Sequence, residues 1–174
     1  MKKIIVLIWS AFIATACNQA NKSASSDKDS ATVTRTVGPS VKLKDENKNV
    51  LYHQYLTLKN ALVASDSSKA GKAGEEMIAT LKNIEGCENT AKIARQIAET
   101  TDIGIQRERF ITLNSDILTL FKAADIQTGS IFIQYCPMAN QGNGAYWMAS
   151  ESEIRNPYYG NDMLTCGEVK QELK

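Results

Sequence analysis

From Asn49 onward the apolar residues fall at helical spacing. Leu51, Tyr55, Leu58 and Leu62 recur at i, i+4, i+7 and i+11, one stripe on one face, which predicts a first helix. A second follows a cap at Asp66 or Ser67, carries Ala70, Ala73, Met77, Leu81 and Ile84 inward, and ends near Gly86. Asn89 is placed to cap a third, with Ile93, Ala94, Ile97 and Ala98 on its apolar face. The fourth runs from about Ile105 to Ala124, with Phe110, Leu113, Ile117, Leu120 and Phe121 at helical spacing. Short connections favour antiparallel neighbours, so the expected fold is all-α: an up-down four-helix bundle. After Gly129 the pattern breaks. Ile131-Phe132-Ile133-Gln134-Tyr135 is a short β-prone run, and Pro137, Gly142, Gly144, Pro157 and Gly160 then punctuate the chain. This C-terminal segment reads as mostly irregular and packed over the bundle. A loop region of that length in a compact domain is usually functional or cross-linked.

The other end of the chain is organised by export. Lys2 and Lys3 precede an apolar run from Ile4 to Ala16, too short for the roughly 20 residues of a membrane-spanning helix, and this reads as a signal peptide. Ala14-Thr15-Ala16-Cys17 resembles the lipobox at which bacterial lipoproteins are cleaved and acylated, which makes Cys17 the expected lipidation site. Residues 17–48 are polar, Ser-rich around Ser23–Ser30, and lack an apolar period, so they read as a flexible tether spanning about 30 Å. The expected organisation is therefore a leader over 1–16, a tether over 17–48 and one domain over 49–174. The expected location is the cell envelope, with the domain lipid-anchored in the periplasm or at the cell surface.

Charge narrows the partners. With 20 basic and 19 acidic residues there is no basic face to argue for nucleic acid and no acidic excess. Membrane attachment would rest on acyl chains and not on electrostatics. His53 is the single histidine, and no Ser/His/Asp set or paired carboxylate constellation accompanies it, so the reading is of a protein that is not an enzyme.

The soft chemistry is concentrated in the C-terminal segment: Cys136, Met138, Met148, Met163 and Cys166, framed by Tyr135, Tyr146, Trp147, Tyr158 and Tyr159. Thiolate and thioether sulfurs select Cu(I), and Cys136-Pro137-Met138 with Met163-x-x-Cys166 can supply a site of two to four ligands. The same two cysteines, in an oxidising compartment, can instead form a disulfide, worth about 3–4 kcal/mol in the loop-entropy model. Both readings stand. Cys87 is the odd thiol and reads as a small buried hydrophobe. Asn156-Pro157-Tyr158-Tyr159-Gly160 reads as a turn, with Arg155 before it paired to a carbonyl or carboxylate.

Five blocks carry a family resemblance: Tyr52-His53-x-Tyr55-Leu56-x-Leu58-Lys59-x-Ala61-Leu62, Tyr135-Cys136-Pro137-Met138-Ala139, Tyr146-Trp147-Met148, Ile154-Arg155-Asn156-Pro157-Tyr158-Tyr159-Gly160 and Met163-Leu164-x-Cys166-Gly167. Together, over about Val50 to Val169, they resemble a bacterial domain-of-unknown-function family (number 3347), whose members occur as exported lipoproteins and appended to periplasmic adaptor subunits of heavy-metal efflux pumps. Tyr-Cys-Pro-Met is also similar to the opening of heavy-metal-binding domains in copper exporters, where a His follows; Ala139 stands there in this chain. The resemblance implies association with copper or another soft metal, an efflux adaptor as partner, and candidate ligands Cys136, Met138, Met163 and Cys166, with His53 and Met148 as additions. The expected function is thus a non-enzymatic envelope lipoprotein that binds Cu(I) for buffering or delivery. The alternative is a disulfide-stapled interaction lipoprotein in which Tyr146, Trp147, Tyr158 and Tyr159 dock a partner.

Overall fold

Aspartates set the start of three of the four helices in the computed structural model, which describes residues 40–174. Asp45 accepts a hydrogen bond from the Lys48 N–H at the head of α1 (Glu46–Val63), and Asp66 accepts one from Lys69 at the head of α2 (Ser67–Lys82). Asp102 takes both Gly104 and Ile105 at the head of α4 (Ile103–Lys122). Each carboxylate satisfies backbone donors that have no partner inside their own helix. α3 (Glu88–Ala98) starts from Cys87, which makes no side-chain cap, so Asn89 already lies inside that helix. Successive helices pack on one another, and the predicted stripe residues Leu51, Tyr55, Leu58, Leu62, Met77, Leu81, Ile97, Phe110, Leu113, Ile117 and Phe121 lie buried between them. Among the described residues no helix is long and apolar enough to cross a membrane.

The all-α expectation is overturned. The fold is mixed, because the segment after α4 forms strands instead of irregular chain. β1 (Lys42–Leu43) pairs antiparallel with β2 (Ile126–Thr128), and β3 (Ile131–Cys136) is the centre of a second antiparallel sheet between β4 (Ala145–Ala149) and β5 (Glu168–Leu173). The glycines and prolines that suggested irregularity sit in the connections. Gly142 and Gly144, both at positive φ, close the β3–β4 loop, while Pro157 and Gly160 lie in the long β4–β5 excursion. The reading of 17–48 as tether is corrected at its end, where Val41 and Leu43 are buried in the core and Asp45 caps α1. The leader, Cys17 and the rest of the tether lie outside the described residues.

In the β3–β4 ladder Gln134 stands opposite Trp147, Ile133 opposite Met148 and Cys136 opposite Ala145. Side chains alternate between faces along a strand, so Cys136, Gln134 and Trp147 share one face and Met148 takes the other.

Candidate functional site

An edge strand leaves every second backbone group without a partner, and β4 is an edge strand packed on α4. Its open groups are met by phenols. The Met148 N–H donates to the Tyr55 hydroxyl of α1 at 2.8 Å, and the Tyr158 hydroxyl donates to the Tyr146 carbonyl. Asn114 of α4 joins the two: Tyr55 donates to its Oδ1 at 2.7 Å, while its Nδ2 donates to the Tyr158 hydroxyl and to the Phe110 carbonyl. Each polar atom of this buried chain has a partner, which is what makes the arrangement stable and specific in a low-dielectric interior. Burial pushes the Tyr55 and Tyr158 phenols well above their ordinary range, so both stay protonated donors. Tyr55 stacks on Phe110, with ring centroids 5.5 Å apart, and Trp147 meets Tyr158 edge-on.

Two further polar anchors come from α1. Tyr52 shares a hydrogen bond with Ser150, and Lys59, with a side chain only 1% exposed, is 2.7 Å from the Glu151 carboxylate. Burial lowers the Lys59 pKa against the opposing pull of Glu151. The Gln134 amide then fixes the same turn from the sheet side by donating to the carbonyls of Glu151 and Glu153.

The Asn-Pro block is the turn expected of it. Asn156 is fully buried; its Oδ1 accepts the Tyr158 N–H and its Nδ2 donates to the Cys166 carbonyl. Arg107 of α4 clamps this turn by donating to the carbonyls of Pro157 and Leu62 and to the Ser65 hydroxyl. Gly160 closes the turn at φ 57°, where a Cβ would come within 2.6 Å of the Arg107 guanidinium. The result is to hold Cys166 over the end of β3.

There the two sulfurs meet, Cys136 Sγ and Cys166 Sγ 2.8 Å apart, both thiols. Cys136 is fully buried and Cys166 half-buried. The neighbouring Cys136 thiol, with burial, pushes the Cys166 pKa up to about 11, so the Cys166 sulfur is protonated at neutral pH. Met163 and Met138 belong to the adjoining turns: the Cys166 N–H donates to the Met163 carbonyl, and the Tyr159 hydroxyl donates to the Met138 carbonyl. Two sulfurs bound to one metal at about 2.3 Å stand about 3.8 Å apart at a tetrahedral angle and about 4.6 Å apart at a linear one. The observed separation lies between those values and the roughly 2.05 Å of a disulfide. A shared metal therefore fits only if the sulfurs part by about 1 Å or more. Of the two, Cys166 is the half-buried one, and Gly167 follows it at φ 142°.

The remaining candidates are dispersed. Met148 is buried on the opposite face of β4 from Cys136, and His53 is exposed on α1. Met138 is 54% exposed. Among the described residues no group of three or more His, Cys, Asp or Glu is arranged to hold a metal. Of the aromatics read as a docking surface, Trp147 and Tyr158 are buried and Tyr159 half-buried, leaving Tyr146 exposed. Cys87 is buried, as a small apolar residue would be, and burial raises its pKa. Arg155 is half-buried near Lys59.

Sequence reasoning passed over Asn114 and Glu151, and named Lys59 only within a family block. For Asn114 and Lys59 a signal was present. Lys59 lies four residues after Tyr55, and Asn114 four after Phe110, so both fall inside apolar helical stripes where a polar residue needs a buried partner.

No curated protein and no solved structure matches the chain. The family model described as protein of unknown function (DUF3347) matches residues 51–129, which run from the first turns of α1 to the end of β2. The match is shorter than the resemblance read over Val50 to Val169: it stops before β3, so both cysteines lie beyond it. The description of that family assigns no function.

Proposed function

We propose that the Cys136/Cys166 corner takes up a soft metal ion, Cu(I), and that the protein is a non-enzymatic lipoprotein of the bacterial cell envelope that buffers this ion or passes it to an efflux system. The observation that carries the reading is the meeting of two sulfurs from segments 30 residues apart. The thioether residues Met138 and Met163 belong to the turns beside them. A pair of thiols is a soft donor set of the kind that takes Cu(I) and does not suit Mg(II). Since the Cys166 thiol is protonated at neutral pH, its binding to a metal releases a proton and tightens as pH rises. Met148 and His53 are not part of this proposed donor set.

An anaerobic Cu(I) competition titration of the reduced protein tests it. One equivalent bound, and lost in the Cys136→Ser/Cys166→Ser variant with unchanged helical circular dichroism, is the expected result. Binding no tighter than the competitor overturns it.

The 2.8 Å separation favours a second reading, in which the two thiols close to a disulfide that staples the excursion to β3. A Cys136–Cys166 bridge that resists mild reductant, in protein purified without reductant, would support the staple against the metal site.

A further inference from the structure

The two sulfurs of the Cys136/Cys166 corner are alike in chemistry and unlike in access. Cys136 ends β3, the central strand of its sheet, and is fully buried, with Ala145 of β4 opposite it. Cys166 lies in the short connection between the turn Gly160–Met163 and β5, and is half-buried. Its backbone is fixed on both sides: the N–H donates to the Met163 carbonyl at 3.0 Å, and the carbonyl accepts from the Asn156 amide at 2.9 Å. Gly167 then brings the chain down on the sheet, where a Cβ would stand 2.7 Å from the Trp147 ring and 2.9 Å from the Tyr135 carbonyl. The Cys166 sulfur is thereby held against the Cys136 sulfur, 2.8 Å away.

This arrangement ranks the two sulfurs for thiol–disulfide exchange. The reaction passes through a mixed disulfide, and the sulfur that enters it must be reachable from solvent. Only Cys166 meets that condition, because Cys136 is sealed in the core. Exchange at sulfur is also an in-line displacement, with the attacking and leaving sulfurs on opposite sides of the central one. Cys136 approaches Cys166 Sγ from the core side and an incoming group arrives from the solvent side, which is the order that displacement requires.

We propose that Cys166 is the exchange sulfur of the pair, reacting with low-molecular-weight disulfides of the glutathione type, and that Cys136 is the resolving sulfur behind it. In the first step Cys166 gives up its proton and attacks one sulfur of the disulfide; a Cys166–glutathione bond forms and one glutathione leaves as a thiolate that takes up a proton. Cys136 then gives up its proton and attacks Cys166 Sγ, the Cys136–Cys166 bond forms, and the second glutathione leaves as a thiol. The protein dithiol is oxidised by two electrons, and one disulfide is reduced to two thiols. No metal takes part, so failure of Cu(I) uptake would leave this proposal standing.

The test uses the full chain with Cys17→Ser and Cys87→Ala, in which Cys136 and Cys166 alone remain of the four cysteines. The reduced protein is mixed with glutathione disulfide at mildly alkaline pH, quenched with acid at intervals, and read by intact and peptide mass spectrometry. The expected course is a transient adduct of one glutathione on Cys166 that passes to the intramolecular disulfide. With Cys136→Ser added, the Cys166 adduct accumulates. With Cys166→Ser added instead, Cys136 is modified at least about tenfold more slowly, and the difference vanishes in denaturant. A first adduct on Cys136, equal rates in the two folded serine variants, a difference that persists in denaturant, or a two-thiol protein that stays reduced overturns the proposal. The first and last of these are read on the intact pair and need neither serine variant to fold.

Discussion

The helices and the C-terminal sheet are held by different physics. Between α2 and α3 the close approach is made at glycine: a Cβ on Gly74 would stand 2.9 Å from the Ala94 carbonyl, and one on Gly71 3.4 Å from the Ala98 carbonyl. Such packing is non-directional. The sheet, by contrast, is pinned to the helices by single polar atoms: the Tyr55 and Tyr158 hydroxyls, the Asn114 amide, the Lys59 ammonium, the Arg107 guanidinium and the Asn156 amide. Apolar packing sets how strongly the layers adhere, whereas these atoms set where the sheet sits, and thereby where Cys166 lies relative to Cys136.

The comparison breaks most visibly where both kinds of contact meet. Trp147 is fully buried, so Trp147→Ala is expected to cost about 3–5 kcal/mol in chemical denaturation. Tyr55→Phe keeps nearly all the apolar contact but leaves the Met148 N–H and the Asn114 oxygen unpaired, for an expected loss of about 2–4 kcal/mol. A loss under about 0.5 kcal/mol would mean that apolar packing alone docks the sheet.

The same tyrosine predicts a pH dependence. Its folded pKa is raised above the unfolded value, so its contribution is fully present below about pH 10 and is lost as pH rises beyond that. Alkaline denaturation profiles should show Tyr55→Phe losing less stability per pH unit above that point than the wild type.

A smaller effect, with an instructive asymmetry, is expected at the ion pair. Glu151→Gln strands the buried Lys59 ammonium and should cost about 2–3 kcal/mol, while Lys59→Met removes the buried charge and leaves a partly exposed carboxylate to water, at a cost near zero. Equal losses in thermal melts would contradict the burial argument. Smallest are the α2 glycines. Gly74→Ala should cost about 1–2 kcal/mol through its contact with the Ala94 carbonyl. Gly71→Ala, with 3.4 Å to its nearest neighbour, should be neutral or stabilise by about 0.5–1 kcal/mol through helix propensity.

What was legible in the sequence follows the same division. Helical stripes are local, and Leu51, Tyr55, Leu58 and Leu62, or Phe110, Leu113, Ile117 and Phe121, announce both element and buried face. The β3 run was visible as β-prone chain, yet β5 was not. Its Glu-Val-Lys-Gln-Glu-Leu sequence is almost wholly exposed and shows no clean alternation of apolar and polar residues, so only its pairing with β3 makes it a strand. The meeting of Cys136 and Cys166 was anticipated from residue type alone. What brings them together, the Asn156 turn clamped by Arg107, depends on contacts across 50 residues that no local pattern encodes.

X-ray absorption at the copper edge of the Cu(I)-loaded protein tests the central claim most directly. The account predicts a first shell of sulfur alone, at about 2.3 Å and with two or three donors, one of them lost when Cys166 is replaced by serine. A shell of nitrogen or oxygen donors, or one unchanged by that replacement, would contradict it.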